Sequence, residues 1–252
     1  MAPTKLITRR RALVAGLAAA GGAALARYSK ALPPTYGNVL RMGDDLTYVA
    51  HRTLLPGESL AKEYTRADIT SFPAVGTVDP GTLRDREVGD NYRRLQAGGF
   101  ADWQLSVEGR VARPTMFSMA ELKRLQSRTQ ITRHTCEEGW AAIGQWTGVP
   151  LSVVLEAASM LPSARYVSLY AHDGGFSSLD MLDALHPQTI LAYAMNGRDL
   201  PVQHGAPLRV RVERQIGYKS LKYLDRIVVS DEFDDGGKRG DIQNGWAWYT
   251  GI

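Results

Sequence analysis

The stretch Thr129–Cys136, TQITRHTC, has the alternation of a strand and ends on the only cysteine among 252 residues. Glu137, Glu138, Gly139 and Trp140 follow it, so the thiol stands where a strand gives way to a loop and side chains project into a cleft. A lone cysteine is most often a small buried hydrophobe. Here His134 and Arg133 precede it and two acids follow, a setting that suits a thiolate better than an apolar core.

Outward from this strand, short elements of both kinds alternate. WQLSVEGRV (103–111) reads as a strand, and Ser118 with Glu121 forms a capping box opening the helix MAELKRLQ (119–126). PLSVVLEAASM (150–160) is a short helix, ARYVSLYA (164–171) a strand, and SLDMLDAL (178–185) a helix capped by Ser178 and stopped by Pro187. TILAYAM (189–195) is a strand closed by the turn Asn196-Gly197, PLRVRVER (207–214) alternates cleanly, and LDRIVVSDE (224–232) is the last strand. Strands mixed with short helices, lacking the regular strand-then-long-helix rhythm of a parallel sheet, predict an α+β fold of mixed β-sheets. Residues 27–99 are broken by Pro33-Pro34, Pro56-Gly57, Pro73, Pro80-Gly81 and Gly98-Gly99. They read as an irregular extension of loops with a few short helices packing on a main domain at 100–252, one of the helices in TLLPGESLAKEY (53–64).

The formal charge of +4 comes from 30 basic against 26 acidic residues. Lys5, Arg9, Arg10 and Arg11 account for the whole excess, so the body is neutral and nucleic acid is not an expected partner. Residues 1–26 carry that basic cluster, an uncharged run from Ala12 to Ala26 and a small-residue site at Ala24-Leu25-Ala26. This is an export signal, and Arg9-Arg10 gives it the twin-arginine form. The apolar run is shorter than the roughly 20 residues of a bilayer span. Periplasmic or other exported localisation is expected, with membrane retention if the segment stays uncleaved. The twin-arginine route carries folded proteins, often with a cofactor already inserted.

A thiolate serves either as a nucleophile or as a soft metal ligand. A thiol hydrolase or transferase would pair Cys136 with a histidine, and His51, His172, His186 and His204 are equal candidates. A zinc site would need closely spaced ligands such as CxxC or HxxxH, which are absent. A metal on Cys136 would therefore take most of its donors from a cofactor. A second constellation lies in residues 207–223, where Arg209, Arg211 and Glu213 share one face of a strand and Leu208, Val210 and Val212 the other. Lys219, Ser220 and Lys222 follow a turn at Gly217. On pattern alone this is a solvated face and a basic loop; functionally it offers a phosphate site. A third is the turn Asp173-Gly174-Gly175, where His172 and Asp173 either line a cleft or face water.

The ordered series RHTCEEGW (133–140), DGGF (173–176), LDALHP (182–187), LAYAMNGRDLP (191–201), HGAPLRV (204–210) and GYKSLKYLDRI (217–227) resembles the oxidoreductase molybdopterin-binding domain of the sulfite oxidase superfamily. Within it, the chain resembles the periplasmic catalytic subunits of the methionine sulfoxide reductase type. The resemblance implies a molybdenum-molybdopterin cofactor of one pyranopterin, with Cys136 as the protein's metal ligand and Glu138 beside it as a catalytic residue. It places the pterin phosphate on Arg209, Ser220 and Lys222, with Lys219 and Asp173 as further cofactor contacts. His204 replaces the asparagine usual before GAP, and Trp140 matches the cysteine loop. The asparagine and tyrosine pterin contacts of the reductase subunits have no clear match in ITSFPAVGTVDP (69–80), where Thr70 and Ser71 are weak substitutes. The implied activity is oxygen-atom transfer on a small sulfur or nitrogen compound, with a membrane cytochrome or soluble redox partner. Because the immunoglobulin-like dimerisation and haem domains of sulfite oxidases are missing, a monomer is expected. A non-catalytic binding domain of the same fold is the remaining alternative.

Overall fold

The computed structural model describes residues 42–252 except Pro56 and Glu58, so the export-signal reading of 1–26 lies outside the described residues. Ten strands form two sheets, in the order β2-β1-β10-β5-β6 for one and β3-β4-β7-β8 for the other, with β9 on β7. The strands are β1 Gln104–Gly109, β2 Thr115–Ser118, β3 Arg128–Thr135, β4 Ala141–Pro150, β5 Tyr166–Ala171, β6 Phe176–Asp180, β7 Ile190–Met195, β8 Arg198–Asp199, β9 Arg209–Arg211 and β10 Leu224–Ser230. Pairing is antiparallel except between β1 and β10, which is the mixed α+β architecture expected.

Both sheets bury one shared core. Leu105 and Val107 of β1, Val167 and Leu169 of β5 and Ile227 of β10 meet Val149 of β4, Leu191 of β7 and Val210 of β9, all essentially excluded from water. Each such side chain contributes about 1.5–3 kcal/mol relative to exposure. Helix α4, Leu151–Ala157, sends Leu151, Val154 and Leu155 into the same core. Helix α3, Met119–Arg124, opens on the expected capping box, with Ser118 Oγ accepting from Glu121 N and Glu121 accepting from Ser118 N. The Asn196-Gly197 turn has φ of 51° and 77°, the left-handed pair that a tight hairpin between β7 and β8 requires.

Two expectations change and one unassigned stretch is filled. Within the described part of 27–99, short helices stand among loops as expected: helix α1 spans Met42–Leu54 and helix α2 spans Arg86–Ala97. The helix expected in 53–64 is absent. Its first two residues end α1, and the far end lies extended against β3 through a Glu63–Thr132 bridge and Tyr64 N donating to Ile131 O at 2.8 Å. The helix expected at 178–185 begins only at Met181 (α5, Met181–Ala184) and is capped by Asp180, because Ser177 and Ser178 lie in the wholly buried strand β6. Lastly, 141–150, left unassigned by its pattern, is the long strand β4 that joins β3 to β7.

Helix α1 is held by a buried charge cluster as well as by Tyr48, which packs with Tyr166, Trp248 and Tyr249. Arg52 is 3% exposed and donates to Asp180 and Asp183, with Nη2–Oδ2 distances of 2.9 and 2.7 Å. Tyr48 Oη donates to Asp180 Oδ2 at 2.8 Å. Removing one member of such a buried cluster strands the others. Arg52→Ala is expected to cost about 3–5 kcal/mol, read as a lower urea midpoint; a loss below about 1 kcal/mol would show that α1 is not fastened this way.

Candidate functional site

The end of β3 and the loop after β9 face each other across a cavity of about 240 Å³. On one side, Cys136 N donates to Trp140 O at 2.9 Å and Gly139 N to Cys136 O at 3.1 Å. This tight loop places Cys136, Glu137, Glu138 and Trp140 on the cavity wall. The thiol donates to Glu137 Oε2 at 3.5 Å, and Trp140 Nε1 donates to Glu138 Oε2 at 3.1 Å. Burial first, and the two carboxylates after it, push the Cys136 thiol up to about 11. The free side chain is a protonated thiol.

His134 does not activate it. Its ring is buried and accepts from Arg211 Nη1 at 2.6 Å through Nδ1, while burial and the two arginines push it down to about 2. Arg133 points to solvent. Of the candidate bases, His51, His172 and His186 do not line the cavity, and His204 does. His172 is bound to Asp225 and Val88 O, and His186 to Ser59 O. No described histidine hydrogen-bonds Cys136.

The opposite wall is cationic. β9 is covered on both faces, so its alternation is real while the solvated face read from the pattern is not: Arg209, Arg211 and Glu213 are 5, 1 and 4% exposed. Glu213 takes both ends of the Arg211 guanidinium at 3.0 and 2.8 Å. Arg209 has no carboxylate; Nη1 donates to His204 O at 2.9 Å, Nη2 donates to Ser220 O at 2.8 Å, and buried Nε has no partner. Burial and the neighbouring Arg211 bring Arg209 down to about 9. Lys222, brought down to about 8 by burial and Arg209, donates to Val75 O at 2.8 Å and to Thr77 O. His204 is lowered to about 4 by burial, Arg209 and Lys222. Several cations losing proton affinity together mark a site short of an anion.

Asp173 and Ser220 also line this cavity, so it gathers Cys136, Glu138, Asp173, His204, Arg209, Ser220 and Lys222. Lys219 is excluded from that set: its fully buried amine donates to Asp241 Oδ2 and Ser178 O, each at 2.8 Å, on the other side of the chain. Thr70 and Ser71 are exposed and do not line the cavity, and Thr70 instead accepts from Ile143 N at 2.9 Å. The next residue, Phe72, had no distinguishing signal in its irregular surroundings. It touches four rings at once: His134 at 5.2, Trp140 at 5.8, Trp146 at 5.3 and His204 at 5.6 Å. Gln203 and Tyr218 are among the further lining residues that sequence reasoning missed.

These residues fit the cofactor that the resemblance implies. Among the described residues no group of three His, Cys, Asp or Glu side chains could hold a metal, so a metal on Cys136 takes its remaining donors from outside the chain. The orphaned Arg209 Nε supplies a place for an anionic group.

Known proteins agree with this architecture. A putative protein-methionine-sulfoxide reductase subunit, YedZ1, from Azospira oryzae is 36% identical over 162 residues, 64% of this chain and 60% of the relative. The protein-methionine-sulfoxide reductase catalytic subunit MsrP from Ralstonia nicotianae is 34% identical over 146 residues, 52% of this chain and 44% of its own length. The chain thus spans less than two thirds of either. The crystal structure of the sulfane dehydrogenase SoxCD from Paracoccus pantotrophus shares the fold at TM-score 0.50 and 24% identity, over 52% of this chain and 39% of that one. Residues 94–237 match the oxidoreductase molybdopterin binding domain, and the chain belongs to that family.

Proposed function

We propose that the chain is a molybdopterin-dependent oxidoreductase carrying out oxygen-atom transfer on a small sulfur or nitrogen compound, with sulfoxide reduction, named in both curated relatives, as the first candidate. The observation that carries this reading is the pairing, in one cavity, of a single soft donor, Cys136, with a buried arginine lacking a counter-ion, Arg209. Cys136 would ligate the metal, which deprotonates the thiol on binding. Arg209, Ser220 and Lys222 would hold the anionic tail, and His204 and Asp173 the pterin between. When bound, the group supplies two-electron redox chemistry and an exchangeable oxygen. Reducing a sulfoxide consumes an electron pair and a pair of protons and releases thioether and water. The electrons come from a separate membrane or soluble carrier. Glu138, exposed at the mouth and bonded to Trp140, is placed to pass protons inward. We further propose export by the twin-arginine route.

Metal analysis of full-length protein from a molybdopterin-competent host tests the core of this. Wild type is expected to carry molybdenum and Cys136→Ser to lose both metal and turnover; a fully active Cys136→Ser variant refutes the assignment. The two lysines separate the phosphate contacts from the scaffold. Arg209→Gln and Lys222→Gln should retain less than about a tenth of the pterin, while Lys219→Met keeps its pterin but unfolds at lower denaturant. The reverse pattern would return Lys219 to the site.

The hydrolase reading predicts a reactive thiolate, and Cys136 in protein stripped of cofactor should not be one. With the thiol at about 11, roughly one molecule in a thousand carries thiolate at pH 8. The rate of iodoacetamide labelling should still be rising between pH 9 and 11; a plateau below pH 8 would favour the hydrolase.

A further inference from the structure

His134 and Cys136 are two residues apart at the end of β3, so their side chains leave on the same face, and both line the cavity. A guanidinium has donors only. The 2.6 Å contact from Arg211 Nη1 therefore makes His134 Nδ1 the acceptor and puts the ring proton on Nε2. Arg211 is itself immobile, with Glu213 gripping two of its nitrogens and Trp146 beneath it at 4.6 Å from the ring centroid. Gln130 Nε2 in turn donates to Glu213 Oε1 at 3.0 Å. Phe72 at 5.2 Å and Trp140 at 5.5 Å hold the imidazole plane.

Although the ring is only 7% exposed, no acceptor among the described residues takes its Nε2–H. The segment facing that edge is Gly217, another cavity residue. A Cβ there would stand 2.5 Å from Nε2 and 2.7 Å from Cε1, so the absence of a side chain is what leaves the edge clear. A donor with a fixed tautomer, on a ring otherwise buried and with an edge open to the cavity, can serve an acceptor that arrives with a ligand.

We propose that Glu213, Arg211 and His134 form a relay that presents a permanent Nε2–H donor to the substrate oxygen beside Cys136, selecting compounds with a strongly dipolar S–O or N–O bond over their oxygen-free counterparts. This rests on the reading of the cavity as the oxygen-transfer site. His134 contacts the substrate; Arg211 and Glu213 are positioning residues. A site that donates to a substrate oxygen favours that compound over the analogue lacking it, because the analogue forgoes the hydrogen bond. The thioether or amine product accordingly leaves the site more readily than the oxidised compound.

The test uses full-length holoenzyme in its oxidised form, titrated calorimetrically with dimethyl sulfoxide and, separately, dimethyl sulfide, alongside molybdenum analysis. His134→Asn keeps an acceptor for Arg211 but has no donor at the Nε2 position; its sulfoxide Kd should weaken about tenfold, with the sulfide Kd and molybdenum content unchanged. Gly217→Ala, which covers the same edge, should reproduce that selective loss. His134→Gln, whose amide N–H reaches the Nε2 position, should recover to within about threefold of wild type. Unchanged sulfoxide affinity in both His134→Asn and Gly217→Ala overturns the proposal, as does equal weakening for both ligands or loss of molybdenum from both variants. Wild-type protein without molybdenum overturns the underlying reading instead, and the metal assay alone reveals it.

Discussion

The segment Leu208–Glu213 is buried on both faces, and the rest of the site follows from that constraint. Its aliphatic face, Leu208, Val210 and Val212, completes the core shared by the two sheets. Its other face carries two guanidiniums and a carboxylate into a place where unpaired charge is costly. Glu213 neutralises Arg211, which is free to serve only as a donor to His134. Arg209 receives two backbone carbonyls and no anion. Its charge is felt next door, where both His204 and Lys222 are pushed towards their neutral forms. An anion entering the cavity relieves all three groups together.

Much of this was readable in the chain, because strand period two reports which side chains share a face. Arg209 and Arg211 were correctly separated from Leu208 and Val210 on that ground. Periodicity cannot say what covers a face, and a polar face against water has the same pattern as one against a ligand cavity. Lys219 and Lys222 illustrate a second limit. They sit three residues apart in one basic loop, but the 3-10 turn Gly217–Lys219 aims the first at Asp241 and leaves the second beside the cavity. A turn of that kind has no compositional marker that distinguishes the two lysines.

The N-terminal elements were hidden for a different reason. Helix α1 buries only Tyr48 and Arg52, one turn apart, and the stripe of α2 is limited to Val88, Tyr92 and Leu95 among charged residues, a short signal beside the surrounding Gly and Pro breakers. Strand β6 misled in the opposite direction. Ser177 and Ser178 look like a cap before an apolar run, yet they are inside, satisfied by Asp241, Trp248 and the Lys219 amine. The buried polar partners come from residues 41 to 70 positions later in the chain, a separation no local window spans.

The cavity is electrically two-ended. Arg209, Lys222 and His204 stand on one wall, and a thiol with Glu137 and Glu138 on the other. A ligand with a single anionic terminus binds such a site in one orientation, terminus to Arg209 and remainder towards Cys136, since the reverse sets its charge against two carboxylates. Burial, and these carboxylates after it, raise the thiol above its ordinary range, which favours the protonated form of the free side chain. In the proposed reading this polarity would orient the anionic part of a cofactor and leave the thiol to a metal at the other end.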